Sequence, residues 1–458
     1  MRRNLEAVLA NPLGVACLIR GIPWEKTPRP GMFDAHSQRE LLLALTQLVR
    51  LRGDGWAVEK GRRMVEALSR LIRPDGKWDL AAMPPGVRPS PQKAALDELE
   101  SGNPVQLTYS HGRLLEALVE FYRASGAGSA LKLAARMAAF HLKGSTRPAG
   151  GVPPADFIHD HSLFGTYRGL LLFGETTGQS EYVDRAAACY RTTVLGRIGE
   201  SGYTLEADGR KSSGETSSPG DAVQLGLWLS RHGLPEFLDD AERLVRARLL
   251  PSQFTEPLPV VPSEDDGADE HARLSERVLG AYGGVYRAPH GGKRPTTDVT
   301  AATLHSLCDV YRHIVERAPQ GRRVNFHLST SGADFSVEAR TLEDATGMSR
   351  RVQVALDTPQ NLFIRIPRWA PSKSVRLTVG DEPLDFVTMG GFVFVAASDL
   401  RGGASSRPLV LTYALPRRRA REPAGGQSFV LEWAGDDVLG VSPNTDLFPF
   451  YPDIPAGT

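Results

Sequence analysis

Two carboxylates that could share acid–base chemistry flank a polar, glycine-bearing loop, GESGYTLEADGRKSSGETSSPGD, residues 199–221. Glu200 follows Gly199, Glu215 follows Gly214, and Glu206 lies between them. A helix start comes next: Ser218 offers a capping hydroxyl, Pro219 suits the first helical position, and Asp221 lies three residues after the serine. The helix then reads AVQLGLWLSRHG, apolar at Val223, Leu227 and Trp228. Carboxylates held near a helix N-terminus beside a long loop can divide the acid and base roles of sugar chemistry. The same residues also read as ordinary loop carboxylates favoured by the helix dipole. Taken alone they leave both readings open.

Other polar residues recur where helices are expected to begin. Ser110-His111 heads RLLEALVEFY, His159-Asp160-His161 precedes GTYRGLLLF, and Asp34-Ala35-His36-Ser37 precedes the first clear hairpin. The helix-like segments come in pairs. LLLALTQLVRLRG is followed by DGWAVEKGRRMVEALSRLI, and RLLEALVEFYRASG by AGSALKLAARMAAFHL. YRGLLLFGETTG is followed by QSEYVDRAAACYRTTVL, and VQLGLWLSRHG by LPEFLDDAERLVRARLL. Each pair is joined by a polar turn containing Gly53, Gly126, Gly178 or Gly233, which suits the left-handed position after a helix C-terminus. In the last pair Phe237, Ala241, Leu244, Val245 and Leu249 recur at helical spacing. Hairpins recurring every ~50–75 residues, irregularly and with polar loops, predict an (α/α)6-type toroid rather than a regular solenoid. In a toroid the loops at one end of the inner helices build the site, and the polar residues fall there.

From about Arg322 the period changes from helical to alternating. Val324, Phe326 and Leu328 alternate, as do Leu362, Ile364 and Ile366, Val375, Leu377 and Val379, and Leu409, Leu411 and Tyr413. Turn signals such as Ser331-Gly332, Gly380-Asp381 and Gly390-Gly391 separate them. This predicts an antiparallel β-sandwich of about 130 residues. The boundary is expected at Ala318-Pro319-Gln320-Gly321, giving a catalytic-type helical domain over 1–320 and an accessory domain over 321–458. The tail after Leu439, rich in Pro and aromatics, is expected to wrap across the surface.

Composition narrows the function classes. The 458 residues carry a formal net charge of +1, and 41% are hydrophobic, as in an ordinary soluble globular protein. Lys and Arg are balanced by Asp and Glu, so no nucleic-acid footprint is present. The densest basic run, Arg417-Arg418-Arg419 with Arg421, reads as a solvated turn. Cys17, Cys189 and Cys308 are scattered, outside any CxxC pair and flanked by apolar residues; they read as buried filler. The N-terminal MRRNLEAVLANPLGVACLIRG is interrupted by Glu6, Asn11 and Pro12 and reads as a short helix, not a signal peptide. No stretch reaches the roughly twenty apolar residues of a membrane span. A cytoplasmic protein is expected, unless the first residues of a longer precursor are missing.

The hairpins, the Glu-rich loop and the terminal sandwich together resemble the DUF1680 group of glycoside hydrolases, typified by the β-L-arabinofuranosidases of families 127 and 146. Short strings across most of the chain carry the resemblance. They are Tyr109-Ser110-His111-Gly112-Arg113-Leu114-Leu115-Glu116-Ala117, Gly199-Glu200-Ser201, Gly214-Glu215-Thr216-Ser217 and Arg365-Ile366-Pro367-Arg368-Trp369. The resemblance implies a retaining glycosidase with a cysteine thiolate nucleophile on a zinc ion, which three cysteines and a glutamate hold. It implies that Glu200 matches the zinc-binding glutamate and Glu215 the acid/base. The pattern then breaks. Ser217 stands where that group has cysteine, and its Cys-Cys-Pro-Pro-Asn string corresponds best to Tyr286-Arg287-Ala288-Pro289-His290. Without thiolates a zinc ion loses its soft ligands and the nucleophile is gone, so no cofactor is expected.

Three readings follow. The first is a hydrolase on a carbohydrate, such as an L-arabinofuranoside-like sugar, that works with carboxylates. Glu215 acts as acid and Glu200 or Glu206 as base, and a separation of roughly 6.5–9.5 Å would imply inversion. His111, His161, Ser217, Tyr286, Arg287 and His290 then line the sugar site, although His111 reads equally as a cap or core histidine. The second is a non-catalytic glycan-binding relative. The third is a lyase or unsaturated-uronide hydrolase using a Tyr/His pair or an Asp, with Asp221 and Asp298 as candidates that also read as helix caps. Glu215 leads among the catalytic candidates. A carbohydrate partner is expected, nucleic acid and membrane are not, and a homodimer is left open.

Overall fold

The computed structural model describes residues 2–3, 5–6, 35–79, 111–144, 160–204, 215–256, 279–283, 297–400, 407–424, 427–444 and 450–454. For 35–37 and 297–298 only the backbone is described. The described residues fall into two compact units, one ending at Arg197 and the other running from Ile198.

The first unit holds three helical hairpins. They are α1 (Ala35–Arg52) with α2 (Gly55–Leu71), α3 (Leu114–Ser125) with α4 (Gly128–Lys143), and α5 (Asp160–Thr177) with α6 (Ser180–Cys189). A π-helical turn, Tyr190–Val194, continues α6. The glycine turns are left-handed as expected; at Gly126, φ is 69° and its N–H donates to the Tyr122 carbonyl at 2.8 Å, closing α3. Helices α1, α3 and α5 pack side by side. The approach of α3 to α5 is close: a Cβ on Gly169 would stand 2.5 Å from Cβ of Leu115. Helix α5 is buried on every side from Asp160 to Gly174, whereas α2 buries one stripe through Ala57, Gly61, Met64, Val65, Leu68 and Leu71. That contrast separates an inner helix from an outer one.

The second unit opens with α7 (Ser217–Ser230) and α8 (Phe237–Leu244), the latter continued by a π-helical turn over Val245–Leu249, and adds α9 (Thr297–His313). Helix α7 packs on both others. It begins at Ser217, one residue before the expected cap Ser218, and its N-cap position is Thr216. No side-chain cap forms there, because the Thr216 hydroxyl pairs with that of Thr303 on α9 at 2.8 Å. Asp221 is one turn inside the helix and buried, so it is not a cap. Helix α9 buries Val299, Thr303, Ser306 and Val310, one stripe at helical spacing. Cys308 lies off that stripe and is exposed, contrary to the expectation of burial. Cys189 is buried as expected, and Cys17 lies outside the described residues.

Fourteen strands follow among the described residues. One sheet has the order β1-β2-β6-β10-β9 and a second β3-β4-β5-β11-β7-β8. The first comprises β1 (Val315–Ala318), β2 (Gly321–Val324), β6 (Leu362–Arg365), β9 (Val387–Met389) and β10 (Phe392–Val395). The second comprises β3 (Thr330–Ser331), β4 (Phe335–Asp344), β5 (Gly347–Leu356), β7 (Arg376–Val379), β8 (Glu382–Pro383) and β11 (Leu409–Ala414). Pairing is antiparallel throughout, except that β2 runs parallel to β6. Alternate residues of both sheets meet in one core, with Val324, Ile364 and Val393 facing Val352, Val354, Leu409 and Leu411. The stretch Ala318-Pro319-Gln320-Gly321 is the turn between β1 and β2, with Ala318 paired to Gly321, so sheet structure begins at Val315. The alternation through Phe326 and Leu328 does not make a strand. Asn325 donates from its backbone to Ile314 and from its side chain to His313 and Glu316, which ends β2 at Val324.

A third, three-stranded sheet was not foreseen: β12 (Arg417–Ala424), β13 (Gln427–Ala434) and β14 (Asp437–Ser442). The Arg417-Arg418-Arg419 run belongs to strand β12 rather than to a turn, its backbone paired along β13. The tail is not merely superficial either. Phe450 and Tyr451 are buried with Trp433, Phe429 and Leu431, because two aromatic rings gain more by leaving water than by covering the surface.

Candidate active site

In the first unit buried charges from three inner helices come together. Glu116 of α3 is buried and accepts from Arg39 of α1 at 2.7 Å and from Arg168 of α5 at 2.6 Å. Three inner helices are thus tied through one carboxylate, and burial of these charges is tolerated because each is hydrogen-bonded to its opposite. Nearby, Arg113 Nη2 donates to Nε2 of His161 at 2.7 Å. A guanidinium can only donate, so the His161 imidazole accepts at Nε2 and carries its proton at Nδ1. Arg113 also lies 3.8 Å from a Glu40 oxygen, Arg39 donates to Glu40, and Asp160 pairs with Arg197. His161, Arg113 and Glu40 therefore form a polar group at the N-terminal ends of α3 and α5.

His111 is placed differently. It is fully buried, its Nδ1 lies 2.9 Å from Nε2 of His141, and its ring meets Trp78 edge-on at 5.3 Å and Phe140 at 5.8 Å. Burial pushes His111 down to about 3, and burial together with the His111 ring pushes His141 well below the usual histidine range. Both rings are neutral, one donating to the other. Of its two sequence readings, the core histidine fits these surroundings.

In the second unit Glu215 stands just ahead of the N-cap Thr216 and is half-buried. The Ser217 hydroxyl donates to Glu215 Oε2 at 3.0 Å, so the two residues singled out from the Gly-Glu-Thr-Ser string are in contact. The first turn of α7, Ser217-Ser218-Pro219-Gly220-Asp221, is buried throughout, and a Cβ on Gly220 would meet Oγ of Ser306 at 2.6 Å. The small residues of that turn let α9 approach and fix the direction from which Glu215 projects.

Glu200 sits in a tight turn closed by the Ile198–Thr204 bridge, with Gly202 left-handed at φ 83°. Its oxygens accept from both terminal nitrogens of Arg418 on β12, at 2.5 and 3.0 Å, and the Arg418 guanidinium lies 4.7 Å over the ring of Trp433. The next residue is held too, since Ser201 donates its N–H and hydroxyl to Glu422 at 2.9 and 2.7 Å. Glu200 is thereby fastened to β12, whereas Glu215 is fastened to α7. Glu206, Tyr286, Arg287 and His290 lie outside the described residues, as does the side chain of Asp298.

No known family profile matches the sequence, and no curated protein matches it. Solved structures do. A glycoside hydrolase superposes with a TM-score of 0.52 at 14% identity, over 95% of this chain and 74% of the other. A GH127 β-arabinofuranosidase superposes with a TM-score of 0.52 at 12% identity, over 95% and 80%. The fold is GH127-like. A GH127 β-L-arabinofuranosidase from Geobacillus stearothermophilus T6 also aligns, with a TM-score of 0.46 at 13% identity over 95% and 84%.

Glu200 and Ser217, the described residues that the resemblance aligns with a zinc site, have other partners. Both oxygens of Glu200 are on Arg418, and Ser217 presents a hydroxyl already donated to Glu215. The buried Cys189 thiol is pushed up to about 11 by burial, the opposite of what a thiolate ligand needs. Among the described residues no three His, Cys, Asp or Glu side chains are grouped to hold a metal. No described helix is long and apolar enough to cross a membrane.

The Arg-Ile-Pro-Arg-Trp run has a part that sequence reading missed. Arg365 ends β6 and donates to Asp239 and Glu242 of α8, Arg368 donates to Asp239 at 2.7 Å, and Trp369 packs edge-on to Tyr413 at 5.8 Å. The run clamps α8 to the sheets. The Arg39–Glu116–Arg168 group was also missed, although one signal was present: Glu116 and Arg168 are charges inside the otherwise apolar runs LLEALV and YRGLLLF.

Proposed function

We propose that the protein is a glycoside hydrolase that cleaves an O-glycosidic bond with carboxylates and no metal. The observation that carries the reading is Glu215: a half-buried carboxylate at the mouth of a small-residue helix start, oriented by Ser217 at 3.0 Å. Such a group can give a proton to a departing sugar oxygen and take one back from water. Glu206 or Glu200 is its partner. The grip of Arg418 on Glu200 favours Glu206 for that role. The substrate class is a carbohydrate, and the GH127-like fold makes an L-arabinofuranoside the first to try. The same grip on Glu200 favours a second reading, a glycan-binding protein without turnover.

Hydrolysis of a panel of aryl glycosides, L-arabinofuranosides included, separates these with and without EDTA. The hydrolase reading expects turnover that EDTA leaves unchanged. Loss of turnover with EDTA would contradict the metal-free chemistry. Calorimetric sugar binding without any turnover would favour the binder.

A further inference from the structure

Helix α7 meets α9 along a polar row set inside a buried contact. From the N-cap onward, Thr216, Gly220, Gln224 and Trp228 stand four residues apart on α7, and Thr303, Ser306 and Asp309 stand three apart on α9. The Thr216 and Thr303 hydroxyls bond at 2.8 Å, and both residues are fully buried. One turn on, a Cβ on Gly220 would stand 2.6 Å from Oγ of Ser306, so the helices touch there. The Ser306 hydroxyl lies 3.4 Å from Oε1 of Gln224, and the Gln224 amide nitrogen lies 3.5 Å from Oδ2 of Asp309. The Trp228 indole N–H donates to the same Asp309 oxygen at 2.6 Å. Apolar rows can slide along one another at little cost. Buried polar groups cannot, because each one drawn off its partner is left unsatisfied where water does not reach. The row therefore holds α7 at one axial setting on α9, with Thr303 gripping the residue that follows Glu215.

Thr216 shows what that grip does to the chain. A threonine at an N-cap ordinarily takes an extended backbone and turns its hydroxyl back on the first turn of its own helix. Thr216 instead has helical values, φ −72° and ψ −11°, and its hydroxyl faces α9. Pro219 weakens the pull of the ordinary cap, since the third residue of the helix brings no N–H to be capped. A turn of Thr216 from helical to extended ψ would swing Glu215 about the helix end. It would also draw the Glu215 carboxylate off the Ser217 hydroxyl that meets it at 3.0 Å.

We propose that Thr303 is a positioning residue for Glu215, which it places by holding Thr216 in the helical setting. The inference rests on the reading of Glu215 as the group that handles the proton. Without the Thr303 hydroxyl, that of Thr216 loses its partner and turns back on α7, and the Glu215 carboxylate is displaced. A misplacement of about 1 Å can cost on the order of a hundredfold in rate.

Thr303→Val keeps the shape of the side chain and removes its hydroxyl, whereas Thr303→Ser keeps the hydroxyl. On the best aryl glycoside, Thr303→Val in the full chain should lower kcat by about ten- to a hundredfold. KM should stay within about twofold, and Thr303→Ser should recover most of the loss. Wild-type kcat in Thr303→Val, or an equal loss in both variants, overturns the proposal. A second measurement needs no turnover. Carbon-13 NMR of protein labelled at its glutamate carboxyl groups identifies the Glu215 signal by its loss in Glu215→Gln. That signal and its titration midpoint should be displaced in Thr303→Val and restored in Thr303→Ser. An unmoved signal in Thr303→Val overturns the proposal. A displaced signal alongside wild-type kcat in Glu215→Gln would keep Thr303 as the residue that places Glu215 and refute the catalytic role of Glu215 itself.

Discussion

Arg365, the last residue of β6, donates to the buried carboxylate of Glu242 on α8, and this pair fastens a helix to the sheets that follow it by more than seventy residues of chain. Removing one member of such a pair strands the other in a place where water cannot reach it. Arg365→Ala should therefore destabilise the protein by about 3–5 kcal/mol in urea denaturation, and Arg365→Lys should restore little, because a lysine cannot reach Asp239 and Glu242 with one planar fork.

Glu242 also predicts acid sensitivity. Its surroundings outweigh the cost of burial, with Arg246 and then Arg365 holding the carboxyl below its ordinary 4.5. The folded value is depressed, so the stabilisation is present above the unfolded value and is lost as pH falls below it. Melting temperature should drop on acidification below about pH 4.5, and the drop should be shallower in Glu242→Gln. An equal slope in both would remove Glu242 from the account.

Within the first unit Glu116 ties α1, α3 and α5 through Arg39 and Arg168. Glu116→Gln should destabilise by about 3–5 kcal/mol, since two buried guanidiniums lose their counter-charge. Replacing Arg39, Glu116 and Arg168 together by apolar residues of like volume should recover much of that loss. Urea titration of both variants checks the contrast.

The His111–His141 pair gives a second pH signature. His111 is neutral when folded, pushed down to about 3 by burial, while the unfolded ring protonates near 6.5. Stability should fall as pH drops below about 6.5, by up to ~1.4 kcal/mol per pH unit for each ring. His111→Phe should flatten that slope in melting curves between pH 4 and 7 and leave the KM for sugar unchanged, as a core role requires.

Much of the fold was legible because the relevant forces are local. Gly53, Gly126, Gly178 and Gly233 all adopt positive φ, and each closes the hairpin turn expected of it. The alternation in Leu362–Arg365 and Leu409–Ala414 likewise became strands facing one core. What was illegible depends on partners far along the chain. Ser218 looked like a cap, but Thr216 occupies the N-cap position and spends its hydroxyl on Thr303, eighty-seven residues away. The arginines of β12 looked like a turn because their pairing with β13 and the Arg418–Glu200 contact are tertiary. The Glu116 group joins residues fifty-two and seventy-seven positions apart, which no local spacing could announce.

Glu200 and Arg418 are each about two-fifths exposed. Their pair should contribute less than about 1 kcal/mol to stability, so Arg418→Ala should unfold at nearly the wild-type urea concentration. If Glu206 is the partner of Glu215, Glu200→Gln should keep turnover within a few-fold. A large fall in kcat would restore Glu200 to the chemistry.

If Glu215 handles the proton, the loss shows in kcat of Glu215→Gln on the best aryl glycoside. It should fall by about 10²–10⁴-fold, with an unchanged melting temperature and no response to EDTA in either protein. Turnover at the wild-type rate in Glu215→Gln would contradict it.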